Sequence, residues 1–122
     1  MSEPEIAQAD SLREAHDWDQ QVLRLGGHLL QSSRWGAFKE RHGWEVERIA
    51  YPDIDAPRAM AQVLFKSRGP ASIGYIPRGP VFDPGDCEAV TQLFLLIDKM
   101  AKKRRAINLI VEPNGPLPLA GT

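Results

Sequence analysis

The chain has 122 residues, 43% of them hydrophobic and 25% charged, with a formal net charge of -1. That composition suits one soluble globular domain or part of one, and a charge so near zero provides no overall field to draw in nucleic acid or an anionic membrane. The single cysteine, Cys87, excludes an internal disulfide and leaves no second thiol for a zinc site, so a reducing cytosol is the expected compartment.

The first residues, Met1 to Asp10, are polar and acidic, the wrong chemistry for a signal peptide. Residues 1–14 carry no periodic apolar pattern and are expected to form a disordered tail ahead of a folded portion over 15–122. Asp17 is placed to cap a short helix with Trp18, Val22 and Leu25 on one face, ended by Gly26 and Gly27. Ser32 and Ser33 are caps for a second helix. Its apolar stripe is Trp35 and Phe38, and Gly43 stops it.

From Trp44 the period changes to two, and Trp44 with Val46 alternates against Glu45 and Glu47 as in a half-buried strand. A turn over Tyr51–Pro57 leads to a second strand, Ala59 to Lys66, and Gly69-Pro70 turns the chain into a third, Ser72 to Ile76, giving an antiparallel meander. Pro77-Arg78-Gly79-Pro80 is too punctuated to continue a strand. Asp86 then caps a helix over about 87–104, with Val90, Leu93, Phe94, Ile97 and Ala101 on one face and a basic end, Lys102 to Arg105. Ala106 to Val111, almost wholly apolar, reads as a strand covered on both faces, broken by Glu112-Pro113-Asn114-Gly115. A buried strand followed by residues without period suggests that the chain is truncated relative to a longer protein. No apolar run approaches the ~20 residues needed to span a bilayer.

Several constellations invite chemistry. His16, His28 and His42 lack the spacing of metal ligands, so no metal is expected. Cys87 at a helix start serves as a small helix-start residue. Lys66 to Ala71 loosely matches an acetyl-CoA phosphate loop, but Pro70 removes a backbone donor and the segment joins two strands, as a hairpin turn does. The basic run 102–105 suits either RNA phosphates or a solvated helix end. Trp18, Trp35 and Trp44 suit either stacking on a base or sugar, or the core. Lys39 follows Phe38 and lies four residues after Trp35, which sets its ammonium beside the apolar face if that face is buried; a plain surface lysine is the blander reading. Ile76 to Asp83 braces Arg78 with prolines and a glycine, which suits a phosphate or carboxylate ligand as well as it suits a structural turn.

Leu30-Gln31-Ser32, Trp35-Gly36, Phe38-Lys39, Gly43-Trp44, Ala61 to Leu64, Tyr75 to Val81 with Asp83, Ala101 to Lys103 and the apolar strand ending Glu112-Pro113 together resemble, in order and spacing, the Fem family of peptidoglycan aminoacyltransferases. The resemblance runs from about residue 17 to 116. It implies an α+β fold: an incomplete GNAT-like domain in which an antiparallel strand meander packs with helices, truncated at its C-terminus. It also implies transfer of an aminoacyl group from aminoacyl-tRNA to the stem-peptide amine of lipid II or its UDP-MurNAc-pentapeptide precursor, with no cofactor and no metal. That work belongs in the cytoplasm, peripherally at the inner face of the membrane. Lys39 falls on the position expected to contact the acceptor's phosphate or sugar region, Trp35 beside it, Arg78 in the family's Gly-Pro-Val loop, and Glu112 on an acidic position suited to a general base. A turn residue before Pro113 is the plainer reading of Glu112. The chain is too short for the whole enzyme and is expected to be inactive alone. The alternative is a small non-catalytic domain binding a nucleotide-sugar or RNA; a fragment of an acyl-CoA acetyltransferase is disfavoured by the poor phosphate loop.

Overall fold

The computed structural model describes residues 3–117, with side chains from Leu12 onward. Helix α1 spans Glu3–Arg24, so it begins well before Asp17, inside the stretch expected to be a disordered tail. Ile6, Ala7, Gln8, Ala9, Leu12, Arg13, Glu14 and Ala15 are strong or adequate helix formers that need no apolar stripe to continue a helix already nucleated by packing. Asp17 therefore sits within α1 rather than capping it. The helix stops as expected: Gly26 takes φ 74, and Gly26 N–H to Leu23 O (3.0 Å) with Gly27 N–H to Val22 O (2.8 Å) closes a Schellman motif.

A 3-10 turn over Leu29–Gln31 leads to helix α2, Ser33–Glu40. Ser32 is its N-cap, accepting from the Trp35 N–H at 3.2 Å. Strands β1 (Glu45–Tyr51), β2 (Ala59–Arg68) and β3 (Ala71–Pro77) form the expected antiparallel meander. Two residues, Val81 and Phe82, form β4, which returns to pair with Met60 and Ala59 of β2. The proline-punctuated loop gave no sign of it, because the pairing is dictated by β2 and not by a local period.

Helix α3, Cys87–Lys103, is capped by Asp86 and crosses to β5, Ala106–Glu112, which runs parallel to β3. The sheet is thus mixed, in the order β1-β2-β3-β5 with β4 on β2. A parallel neighbour requires such a crossover helix. One face packs Ala59, Ala61, Val63, Phe65 and Ile76 against Ala89, Leu93 and Ile97 of α3. On the other, Trp18 and Val22 of α1 meet Met60 and Val81.

Strand β5 departs from the expectation of burial on both faces. Leu109 and Val111 pack toward α3, but Ile107 and Ile110 are 66% and 54% exposed. Among the described residues β5 is an edge strand, paired only with β3 and covered only by α3. The basic helix end is also not simply solvated. Arg104 reaches across to Glu45 and Glu47 and lies over the Phe65 ring at 5.0 Å.

Candidate functional site

The register fixes which side chains share the face opposite α3. Leu64 of β2 stands opposite Tyr75, Lys66 opposite Ile73, and Pro77 opposite Glu112 of β5. Helices α1 and α2 cover the β1–β2 part of this face; the β3–β5 part, with Tyr75, Ile110 and Glu112, is left open.

Helix α2 sits on that face through its glycine. Gly36 is its buried residue, and a Cβ there would lie 2.4 Å from Gln62 Oε1. The apolar stripe expected to bury the helix does not: Phe38 is 40% exposed and Trp35 half-buried. The two rings stack on each other instead, with centroids 5.3 Å apart. Close approach of the glycine turns both aromatics sideways, along the edge of the open face.

That arrangement places Lys39. Its Nζ lies 5.1 Å from the Trp35 ring centroid and 5.9 Å from that of Trp44. Lys66 approaches Trp44 as well, at 5.3 Å, and Trp44 continues to Tyr75 at 6.4 Å between centroids. Among the described residues neither lysine has an acidic partner, and the buried Trp35 Nε1 has no hydrogen-bond acceptor. Trp18 alone of the three tryptophans is core, 2% exposed.

Farther along the face, Arg78 Nε lies 3.4 Å from Glu112 Oε1. The ionisation of Tyr75 is pushed upward by burial first and then by the Glu112 charge, with Arg78 opposing. Arg78 holds a left-handed backbone (φ 51) between buried Pro77 and buried Gly79, and the Gly79 N–H donates to Glu112 O at 3.1 Å. Loop and strand end are therefore tied through both backbone and side chain. Arg78 also lines a cleft of about 740 Å³, walled by the end of α1, the loop through Asp83 and Gly85, and Asn114 to Leu117. Trp35 and Lys39 lie outside that cleft. They are joined to Arg78 and Glu112 along the exposed face, through Trp44 and Tyr75.

Behind the face runs a buried polar network that sequence reasoning did not single out. Gln31, fully buried, donates to Pro77 O at 2.7 Å and accepts from the Gln62 N–H at 2.7 Å. Gln62 in turn donates to Ser32 O at 2.8 Å and accepts from Arg48 Nε at 3.0 Å. Burial lowers the Arg48 pKa, with Asp19, Glu40 and Glu14 opposing. A glutamine inside an otherwise apolar register was the available signal.

Comparison with known proteins places the chain in a family. The sequence profile of the FemAB family matches residues 12–120. The chain is 32% identical over 90 residues to a lipid II:glycine glycyltransferase of Staphylococcus haemolyticus, covering 72% of this chain and 22% of that one. It is 33% identical to the Staphylococcus aureus protein of the same name, covering 72% and 21%. A crystal structure of FemX superposes with a TM-score of 0.66 at 31% identity, over 78% of this chain and 24% of that one. The chain thus spans about a fifth of the length of the curated relatives it matches, and its α+β architecture with a mixed sheet is shared with FemX.

Proposed function

The chain belongs to the FemAB family, and from that membership we propose that it supplies the acceptor-side wall of a peptidoglycan aminoacyltransferase built on a GNAT-like fold. The reaction moves an aminoacyl group from aminoacyl-tRNA to the stem-peptide amine of lipid II or of UDP-MurNAc-pentapeptide. It takes place in the cytoplasm, at the inner face of the membrane where lipid II is presented. Among the described residues no helix is long and apolar enough to cross a membrane.

The observation that supports this reading is the single line of contacts from Lys39 through Trp44 and Tyr75 to Glu112 and Arg78, on an open face of the sheet. Aminoacyl transfer is attack of an amine on an ester carbonyl, and the amine must shed a proton as it attacks. Lys39 and Trp35 hold the acceptor's phosphate and sugar region. Arg78 and Tyr75 fix the carboxylate of Glu112, which is half-exposed and keeps lone pairs free to receive that proton. Positioning of two large substrates supplies much of the rate in such a reaction, so the isolated chain is expected to give no turnover.

The test is a transfer assay on the protein at its full natural length, with a panel of charged tRNAs and with lipid II or UDP-MurNAc-pentapeptide, read by the mass of the extended stem peptide. Extension by one or more residues is expected, with acceptor affinity falling roughly tenfold in Lys39→Ala. No extension with any charged tRNA, together with no acceptor binding, overturns the assignment.

A further inference from the structure

Arg78 orients Glu112 in the reading above, yet only part of its guanidinium is spent there. It is the exposed residue in a buried run, with Ile76 and Pro77 before it and Gly79, Pro80 and Val81 after it. Its left-handed backbone (φ 51) is uncommon for a residue with a side chain, and it is held from both sides. Pro77 O accepts from Gln31 Nε2 at 2.7 Å, and the Gly79 N–H donates to Glu112 O at 3.1 Å. A Cβ on Gly79 would lie 2.8 Å from Gln31 Cδ, so the loop is also packed tightly from behind. The guanidinium is thus carried by a fixed backbone. Its Nε faces Glu112 at 3.4 Å, and among the described residues Nη1 and Nη2 have no hydrogen-bond acceptor. That leaves one edge of the fork for an oxyanion.

The cleft that Arg78 lines has the makeup of a nucleotide site. Leu25, Phe82, Pro84 and Pro116 supply apolar wall, and Arg24 adds a second positive charge, tied to Gln21 Oε1 at 2.6 Å and Pro57 O at 2.5 Å. Asp83 is the one acid among the lining residues. A base packs on apolar wall while its phosphate takes a guanidinium edge. Position then selects the substrate. Trp35 and Lys39, assigned to the acceptor, lie outside this cleft. An acceptor held there reaches Glu112 by way of Trp44 and Tyr75, whereas a ligand in the cleft reaches it by way of Arg78. The two substrates of a transfer must meet at the reacting atoms without occupying the same space. We propose that the cleft takes the terminal nucleotide of the aminoacyl-tRNA, its phosphate on Nη1 and Nη2 of Arg78 and its base against the apolar wall. The proposal rests on the aminoacyltransferase reading for the identity of the ligand. A nucleotide is also part of the UDP-linked acceptor, so the test separates the two sources.

The experiment uses the protein at its full natural length and a short, fluorescently labelled single-stranded RNA ending in adenosine, as tRNA does, with binding read by anisotropy. Arg78→Gln is expected to weaken binding roughly tenfold, the worth of one charge-assisted hydrogen bond. Asp83→Asn, which removes the acid from the cleft, is expected to strengthen it roughly twofold. Lys39→Gln is expected to leave it unchanged. Wild-type affinity in Arg78→Gln, or an equal loss in Lys39→Gln, overturns the proposal. So does displacement of the RNA by uridine monophosphate more readily than by adenosine monophosphate, since the cleft then belongs to the acceptor.

Should Arg78→Gln fail to fold, Asp83→Asn carries the test, because disturbing a merely structural side chain brings no gain in affinity; unchanged or weaker RNA binding in that variant counts against the site. Should transfer activity be present while Arg78→Gln binds RNA normally, this inference falls and the assignment stands. Should RNA binding depend on Arg78 in a protein that transfers nothing, the nucleotide site stands without the enzyme.

Discussion

The side chain of Gln31 completes the backbone hydrogen bonding of Gln62, accepting its N–H at 2.7 Å and donating to its carbonyl at 3.3 Å. Strand β2 shares one edge between two partners: β4 pairs with Ala59 and Met60, β3 from Leu64 onward. The residues between them, Gln62 among them, have no strand neighbour on that side. One buried amide fills the gap and also holds Pro77 O, at the root of the Arg78 loop. Core, helix entry and candidate site therefore meet at one side chain.

Gln31→Ala should cost about 3–5 kcal/mol, because it strands a buried N–H and two buried carbonyls, each costing at least about 1 kcal/mol when left unpaired. Urea unfolding followed by circular dichroism measures this. A loss below about 1 kcal/mol would mean that water takes over the role of the amide.

Gly36→Ala in a helix ordinarily gains up to about 1 kcal/mol from propensity. Here the sign should reverse, to a loss of about 1–3 kcal/mol from overpacking, since the new Cβ would meet Gln62 Oε1 at 2.4 Å. The same substitution should swing Lys39 and Trp35 away from the sheet and weaken acceptor binding. A stabilised variant in the unfolding assay contradicts the packing of α2.

Tyr75 should form its phenolate only above the ordinary tyrosine range near pH 10, because burial and then the Glu112 charge disfavour the anion. Its folded pKa is raised, so the associated stability is present below the unfolded value and is lost as pH rises through the folded one. Ultraviolet titration of a Tyr51→Phe background isolates it, since the chain has two tyrosines. Adding Glu112→Gln should move the transition down partway, leaving the burial contribution. No movement would separate Tyr75 from Glu112.

Asp86 titrates in the opposite sense. Arg58 donates to both of its oxygens, at 3.1 and 2.8 Å, and holds its carboxyl below the ordinary range, with the Ala89 N–H adding to the effect. A depressed folded pKa contributes stability above the unfolded value near pH 4, lost as pH falls through the folded one. Asp86→Asn should therefore lower stability at neutral pH and flatten its decline below about pH 4. The effect is modest, since Arg58 is well exposed. Parallel acid-denaturation curves for the two proteins would rule it out.

Much of the fold was legible from local signals. Gly26-Gly27, Ser32 and Asp86 act within a few residues, and a cap or a left-handed glycine does the same thing in any tertiary context. The helical stripe from Val90 to Ala101 likewise records which side of that helix meets a core; the alternation from Trp44 does not, because Ile49 and Tyr51, on the same face of β1 as Glu45 and Glu47, pack against the core under α3. The family resemblance, carried by short ordered segments, needed no coordinates either.

What the sequence determined by itself, then, was the set of elements and where most of them stop. Only the tertiary structure decided how far back α1 runs, that α2 seats on Gly36 and not on its aromatics, that β4 returns to β2, and that β5 is an exposed edge. It alone turned Gln31 into the filler of a sheet gap. The physical reason is range. Caps and periodicity are settled by neighbours a turn or two away, whereas burial of a strand, approach of a glycine and the pairing of a buried amide depend on atoms that the chain brings together from far along the sequence.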